Sequence, residues 1–285
     1  MANSQKTRGA VLVTGATGGM GQVLCPALVK AGFDVYAVSR SAADSGSSGR
    51  IRPVEMNLTD DSSITQGLAR VAGEVGDRGL AGLINMAGLI VGGPLELVSP
   101  DDMRDQFALN VLAPHVLTRA SLPLLRKGRG RVVNIGAVSA RVTVPYFGAI
   151  SASKAALASL SDAMRMEFAP QGIRVVLIEP GAIETGIFAT AAERQARMLK
   201  AQAPERVAYY QARMAAMAEA FATMRPDKPK IVVDAVLKAL SQADPQPRVL
   251  AGRSARQLGM LRFLPTRMRD WVITASLGIT GALTK

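Results

Sequence analysis

Cysteine and histidine are almost absent from this chain of 285 residues. Cys25 is the only cysteine, so no disulfide can form within the molecule, and His115 is the only histidine. Zinc and most transition-metal sites need several cysteine or histidine ligands. The sequence therefore predicts no metal centre, and we expect Cys25 and His115 to be packing residues rather than catalytic groups.

Long hydrophobic runs are also missing. No stretch reaches the roughly 18 consecutive apolar residues that a membrane-spanning helix needs. The polar segment 1–8 leads directly into the apolar residues Val11, Leu12 and Val13, which is unlike a secretory signal. These features predict a cytoplasmic protein.

Acidic and aromatic residues are few. Lysine and arginine number 34 against 22 aspartates and glutamates, which gives a formal net charge of +12, and aromatic residues make up only 4%. This charge favours an anionic partner, such as a dinucleotide phosphate, an acyl carrier, a membrane surface or a nucleic acid. Because aromatic residues are scarce and no nucleic-acid motif accompanies the basic residues, we expect no nucleic-acid partner.

The chain has enough apolar residues to bury a sizeable core, because 48% of it is hydrophobic and only 20% is charged. A single α/β domain often extends to roughly 250 residues around one sheet. We therefore predict one domain with four segments: a dinucleotide-binding core at 1–186, a helical substrate-side insert at 187–228, the last helix and strand at 229–252, and a basic, apolar extension at 253–285.

Short apolar runs alternate with longer helical patterns, which is typical of repeated βαβ units and a parallel sheet. We expect strands at 10–14, 34–39, 51–55, 81–86, 130–135, 173–178 and 247–250. We expect helices at 21–31, 60–75, 101–117 and 148–168, followed by one long helical insert at 187–225. The predicted fold is a Rossmann-like, doubly wound parallel sheet with helices on both faces.

A glycine-rich turn follows the first predicted strand and leads into a helix at residues 14–21. Glycine lets the backbone approach a pyrophosphate, and the free N–H groups of a helix N-terminus favour its negative charge. A glycine-rich turn is a weak signal by itself, but its place inside a βαβ unit indicates a dinucleotide site.

Several motifs resemble those of the short-chain dehydrogenase/reductase family. Thr14, Gly15, Gly19 and Gly21 match its Thr-Gly-x-x-x-Gly-x-Gly pattern. Further matches are Asn85-Met86-Ala87-Gly88, the helical Asn110, and Pro180-Gly181-Ala182-Ile183-Glu184-Thr185, in which Ile183 and Thr185 would meet the nicotinamide carboxamide. The C-terminal tail resembles extensions in hydroxysteroid- and retinol-dehydrogenase-like members, which act on bulky apolar molecules.

The resemblance implies a nicotinamide dinucleotide cofactor. The second strand ends in Ser39-Arg40, where NAD-preferring relatives usually place an acidic residue at the Ser39 position. An arginine can pair with a 2′-phosphate instead, which favours NADP(H); the alternative is that Arg40 is a solvated loop charge. The candidate cofactor-binding residues are Thr14, Gly15, Thr17, Gly19, Met20, Gly21, Ser39, Arg40, Asn57, Leu58, Asn85, Ala87, Gly88, Lys154, Pro180, Gly181, Ile183 and Thr185.

The resemblance also shows what is missing. Lys154 matches the family's lysine and Asn110 its asparagine, but the tyrosine position four residues before the lysine holds Ile150. With ungapped spacing, the position of the family's serine holds Ala137. Neither side chain can donate or accept a proton, so the usual Ser-Tyr-Lys mechanism cannot operate as written.

Two nearby residues are candidates to replace the missing groups. Tyr146 lies four residues before Ile150, in the loop expected just before the helix, and Ser139 lies two residues after Ala137. The candidate catalytic residues are therefore Lys154, Asn110, Tyr146 and Ser139. Tyr146 otherwise lines the pocket, and Lys154 otherwise serves cofactor binding alone.

Three functions remain open. The first is an NADPH-dependent reductase of a bulky apolar molecule, either an iminium or conjugated compound that needs no tyrosine acid or a carbonyl compound protonated by another group. The second is a non-redox enzyme, such as a cyclase or isomerase. The third is a non-catalytic cofactor-binding partner or sensor. Family membership favours the reductase.

The insert and the tail carry apolar faces of different character. The insert is rich in methionine, which suits pockets for irregular ligands, and we expect insert and tail to enclose a pocket beyond the carboxyl ends of the strands. The tail combines arginines with apolar residues, so it could cover the pocket, join subunits or contact a membrane surface. We expect it to pack on its own domain, and the protein to form a homodimer or homotetramer.

Overall fold

A computed structural model describes residues 7–41 and 49–279 and contains one seven-stranded sheet. All seven predicted strands are present, and their ends differ from the prediction by at most two residues. The strands are β1 (Ala10–Thr14), β2 (Asp34–Ser39), β3 (Ile51–Glu55), β4 (Leu80–Asn85), β5 (Arg131–Ile135), β6 (Arg174–Pro180) and β7 (Arg248–Ala251).

The strands are all parallel and lie in the order β3-β2-β1-β4-β5-β6-β7. The order reverses between β1 and β4, and in such sheets ligands bind beyond the carboxyl ends of the strands at this switch point. The predicted Rossmann-like, doubly wound fold is confirmed.

Helices cover both faces of the sheet. They are α1 (Gly19–Lys30), α2 (Asp61–Val75), α3 (Pro100–Phe107), α4 (Ala113–Gly128), α5 (Gly148–Phe168), α6 (Ile187–Lys200), α7 (Pro204–Ala222), α8 (Lys230–Ser241), α9 (Arg253–Met260) and α10 (Thr266–Ser276). Val11 and Val13 of β1 face α1 and α8 in one core cluster, whereas Leu12 faces α2, α4 and α5 in another. The alternation of side chains along each strand creates these two cores.

The predicted helix at 101–117 differs from the observed structure. It comprises α3, a π-helical turn at Ala108–Leu112 and α4, and it continues to Gly128. A π-turn inserts one residue into the helical repeat, and such turns are common at functional sites. Here the turn contains Asn110, whose side-chain amide binds the backbone of Leu89.

The predicted helical insert consists of two separate helices, α6 and α7. Pro204 begins α7, and proline is tolerated in a first helical turn because it lacks only an N–H that would be unpaired there. The base of the insert is closed by Asp227, whose N–H donates to the carbonyl of Ala182 and whose carbonyl accepts from Glu184.

Ion pairs attach the insert to the segment that follows β4. Arg194 of α6 pairs with Asp102 and Asp105 of α3. Farther along, Arg206 and Tyr210 of α7 both donate to the carboxylate of Glu96. The insert is therefore held at two places against the segment that follows the carboxyl end of β4.

The C-terminal extension packs on its own domain, as expected. Ile273 and Leu277 are buried with Met217 of α7 and Val142, which follows β5. Phe147 and Phe221 pack against the same cluster. Within the ranges 7–41 and 49–279, none of the helices combines the length and apolar character needed to cross a bilayer.

The single cysteine and the single histidine differ in their surroundings. Cys25 is buried among the core residues of α1, as expected, but His115 is exposed on α4, so the prediction that it is a packing residue was wrong. His115 lies on the solvent side of an amphipathic helix, where neighbouring buried residues such as Pro114 and Leu117 face the sheet.

Burial raises the pKa of the Cys25 thiol from 9.0 to about 11. At about pH 8 this shift lowers the reactive thiolate fraction about a hundredfold. We expect an aromatic disulfide reagent to label the native protein at least that much more slowly than the unfolded chain, which serves as the control. Rapid labelling of the native protein would contradict the burial of Cys25.

Candidate active site

The glycine-rich turn lies between β1 and the N-terminus of α1. Gly15 has a positive φ of +69°, and a Cβ atom there would lie 3.0 Å from the backbone N of Ala87. Gly21 packs directly on the carbonyl of Ala16, which leaves no room for a side chain. Gly18 precedes α1 without a side-chain cap, so the first N–H groups of the helix are open to an anion.

The Pro-Gly segment after β6 faces this turn. A Cβ built on Gly19 would lie 3.4 Å from the Cβ of Thr185, so the two motifs meet across the switch point. Gly181 is packed against Ser254 of α9. Ile183 is 6% exposed and belongs to the core cluster around α1, so only its backbone can face a ligand.

Two predicted cofactor residues use their side chains to join strands. The hydroxyl of Thr14 donates to the carbonyl of Ile84 and accepts from the N–H groups of Met86 and Ala87. The buried amide of Asn85 donates to Thr118 and Asn134. The structure therefore places both side chains in the framework that holds the turn.

The remaining predicted contacts follow β2 and β3. Ser39 is buried and donates to the carbonyl of Ser41, while Arg40 is exposed and makes no ion pair with another residue in the described ranges. Asn57 accepts hydrogen bonds from Thr59, and Leu58 lines a small recess together with Ala87.

Two further predicted residues, Thr17 and Met20, and the helix cap Asp60 lie in this region. Thr17 lies in the glycine-rich turn, and Met20 is packed against the core cluster beside α1. Asp60 caps α2, because its carboxylate accepts from the N–H groups of Ser62 and Ser63. The open N–H groups at the start of α1 and the close backbone approach at Gly15 fit a dinucleotide.

Lys154 and Asn110 converge near Gly88. A Cβ on Gly88 would lie 3.1 Å from Asn110 Oδ1 and 3.7 Å from Lys154 Nζ. Lys154 is buried and donates to the carbonyl of Ile135 over 2.7 Å. Burial lowers the pKa of Lys154 to about 8, so its ammonium form still predominates near neutral pH but loses its proton more readily.

Ala137 and Ile150 both precede this lysine in the chain. Ala137 follows β5, two residues after the carbonyl that Lys154 binds, and Ile150 lies one turn before Lys154 in α5. Ile150 is 5% exposed. Ser139 lies in the 3₁₀ turn Val138–Ala140, and it is not among the described residues that line the main cavity.

Tyr146 reaches that cavity. It lies in a turn before α5 with a φ of +62°, and its carbonyl accepts from the N–H of Gly93 over 2.7 Å. A left-handed conformation is unusual for a residue other than glycine and is found where surrounding contacts impose it. Its ring meets that of Tyr210 edge to face, with centroids 6.3 Å apart.

The cavity has a volume of about 330 Å³ and lies beyond the ends of β4, β5 and β6. Its walls are largely apolar and include Tyr146, Phe147, Phe188, Met214, Met217, Phe221 and Met224. The expected position of the methionine-rich insert beside the strand ends is confirmed. The tail contributes no lining residue within its described part, but it packs behind Met217 and Phe221.

Sequence reasoning missed two glutamines at the site. Gln106 is fully buried, and its amide binds Val91 N, Leu89 O and Ser153 Oγ, which holds the segment after Gly88 in place. Gln195 contributes an amide to the otherwise apolar cavity wall. The sequence could have indicated Gln106 and Gln195 only as polar residues among the apolar positions of a helix.

A buried ion pair was missed as well. Arg141 donates through Nε and a terminal nitrogen to both carboxylate oxygens of Glu179, with Nε at 2.9 and 3.0 Å from them. The side chain of Glu179 is fully buried at the end of β6, and that of Arg141 is 13% exposed. The pair therefore ties the segment that contains Ala137 and Ser139 to the Pro-Gly segment.

Residues 9–196 match the family model described as short chain dehydrogenase. The chain belongs to the short chain dehydrogenase family. It is 30% identical to human 17-beta-hydroxysteroid dehydrogenase type 6 over 281 residues, which cover 93% of this chain and 88% of that protein. It is 33% identical to retinol dehydrogenase 7 of Rattus norvegicus, with 92% and 87% covered. These matches confirm the hydroxysteroid- and retinol-dehydrogenase branch.

Shorter matches and solved structures agree with this family. A 3-amino-tetrahydro-pyrrolizinone reductase of Xenorhabdus hominickii is 35% identical over 183 residues, so the match spans 64% of this chain and 64% of that enzyme. A short chain dehydrogenase of Burkholderia cenocepacia J2315, solved in complex with NADP, superimposes with a TM-score of 0.74 at 26% identity, with 94% of this chain and 98% of that chain covered.

Proposed function

We propose that the protein is an NADPH-dependent reductase of a bulky, largely apolar small molecule, and that it works without the usual tyrosine and serine. One observation supports this most strongly. The residues that would hold the cofactor are complete, with Lys154 and Asn110 beside Gly88, whereas Ile150 and Ala137 stand where the family places its acid and its orienting hydroxyl.

The cofactor would supply a hydride when bound, and the chain's own residues would hold it. The open N–H groups of α1 suit the pyrophosphate, and Arg40 suits a 2′-phosphate. Lys154 suits the ribose hydroxyls, because its ammonium group donates three hydrogen bonds and only the bond to Ile135 is made here within the described residues. Thr185 would orient the carboxamide.

The substrate side of the proposal rests on the cavity. An apolar cavity of about 330 Å³ fits a small molecule with few polar groups. An iminium or conjugated substrate accepts a hydride without a proton from a tyrosine, and the buried Ile150 keeps water from that position. The Xenorhabdus relative, named for the reduction of a pyrrolizinone, supports a reductase direction.

The decisive experiment measures the consumption of NADPH by the purified protein with a panel of apolar iminium, enone and ketone compounds. We expect turnover with iminium or conjugated compounds and little with simple ketones. Product formation without consumption of NADPH would identify a non-redox enzyme instead, and tight cofactor binding without any turnover would identify a sensor.

We predict that Arg40→Asp removes most of a preference for NADPH over NADH. A charge-assisted contact to a phosphate contributes about 1.5–3 kcal/mol, which corresponds to roughly a ten- to hundredfold change in relative affinity. Fluorescence titration of both cofactors measures it. Arg78→Asp is the matched control, because Arg78 is exposed at the amino end of β4, on the opposite edge of the sheet. Equal affinities in the unmodified protein would contradict the NADP assignment.

A further inference from the structure

Four large apolar side chains of the C-terminal extension are exposed. Met260 is 63% exposed, Phe263 67%, Met268 55% and Trp271 60%. Within each pair the two residues are three positions apart in helical backbone, so Met260 lies beside Phe263 and Met268 beside Trp271. Isolated exposed apolar residues are ordinary, but a group of this size indicates an interaction site.

Arginines accompany these side chains. Residues 253–271 contain one acid, Asp270, which is paired with Arg269, and five arginines. Arg262 lies over the ring of Phe263 at 4.5 Å from its centroid. The arginines are Arg253, Arg256, Arg262, Arg267 and Arg269. Together with the four apolar side chains they form what we name the C-terminal basic surface.

The opposite side of the same helices is fixed to the wall of the cavity. Ile273 and Leu277 are buried against Met217, which lines the cavity, and Phe221 packs on the same cluster. One face of α9 and α10 therefore packs into the hydrophobic core of the domain. The four exposed apolar side chains are not members of the core clusters found among the described residues.

We propose that the C-terminal basic surface docks on an anionic lipid bilayer, with Phe263 and Trp271 at the headgroup level. Interfacial helices combine a cationic rim with aromatic and aliphatic side chains in this way. The formal charge of +12 favours the same partner. In a twofold dimer formed through this surface, one basic surface would face another, so like charges would oppose it. This proposal does not depend on the reaction.

Trp271 provides a direct test because it is the only tryptophan of the chain. We expect its emission to shift to shorter wavelength when vesicles of phosphatidylcholine and phosphatidylglycerol are added, and to be quenched by brominated acyl chains. We expect the protein to sediment with these vesicles, less so at high salt, and not with vesicles of phosphatidylcholine alone.

Two matched double variants distinguish binding through the C-terminal basic surface from binding caused by the net charge of the protein. Arg262→Gln with Trp271→Ser removes one arginine and one exposed apolar side chain from the surface, and sedimentation measures the loss. Arg119→Gln with Met166→Ser removes the same kinds of group from exposed positions on α4 and α5. One arginine near an anionic bilayer changes binding about fivefold, so with the lost aromatic we expect a loss of about tenfold or more in the first variant only.

Three results would overturn the proposal. One is the absence of sedimentation and of a spectral shift with anionic vesicles. Another is sedimentation without any change in the emission of Trp271, which would place the contact elsewhere. The third is a shift of that emission with protein concentration in the absence of lipid, which would show that a second copy of the chain covers the surface. Circular dichroism checks that both variants remain folded.

Discussion

The double variant Ala137→Ser with Ile150→Tyr is expected to reduce apolar ketones with NADPH about 10²–10⁴-fold faster than the unmodified protein. A positioned acid protonates the oxygen as the hydride arrives, and this contribution corresponds to about 3–5 kcal/mol of the barrier. Lys154 lies one turn after Ile150, where its ammonium group favours the ionised form of a tyrosine and so lowers its pKa.

Cofactor affinity serves as the internal control for this variant. Fluorescence titration should give similar dissociation constants for NADPH before and after the change, because Asn110 and Lys154 are untouched. Tyr146→Phe is the second control, since its ring lines the cavity. If the unmodified protein reduces ketones fast and Tyr146→Phe does not, Tyr146 is the acid. That result would contradict the proposal that the active site lacks a proton donor.

Breaking the buried ion pair should have the largest effect on stability. Arg141→Met leaves the fully buried carboxylate of Glu179 without its bidentate partner. Removing one member of a buried pair typically lowers the free energy of unfolding by about 3–5 kcal/mol, because the other charge stays desolvated. Denaturant unfolding at neutral pH measures the change.

An exposed pair offers the matched control. Asp244→Asn breaks the ion pair of Arg174 and Asp244, in which the aspartate is fully exposed, and we expect a loss of less than about 1 kcal/mol. The double variant Arg141→Met with Glu179→Met should be more stable than Arg141→Met alone, since no charge is then left buried. Equal stability of Arg141→Met and the unmodified protein would show that the pair is not coupled to folding.

Local patterns predicted most of the sheet and its helices. The observed bounds of β1, β2, β3 and α5 coincide with the predicted ones. Each of these strands is a short run that contains apolar or β-branched residues, and α5 has an uninterrupted helical pattern. Such signals depend on neighbours in the sequence, so they can be recognised without knowledge of the fold.

The division of the insert into two helices and the position of the π-turn were harder to predict, because neither depends on a repeating pattern in the sequence. The apolar pattern at 187–225 predicts a helical insert but not where it divides, and the structure shows that Pro204 begins its second helix. The π-turn at Ala108–Leu112 goes with the bonds between Asn110 and Leu89, which are 21 residues apart. Helical periodicity carries no information about a contact of that kind.

The sequence by itself determined the order of the βα units, the glycine-rich turn before α1 and the identity of the residues at 137 and 150. Only the tertiary structure decided which polar groups bind other parts of the protein. Asn85 donates a hydrogen bond to Asn134 in the core, and Arg141 pairs with Glu179, which lies 38 residues later in the chain. The physical reason is that a local pattern tells which face of an element is buried. The partner across that face depends on how the strands and helices assemble in space.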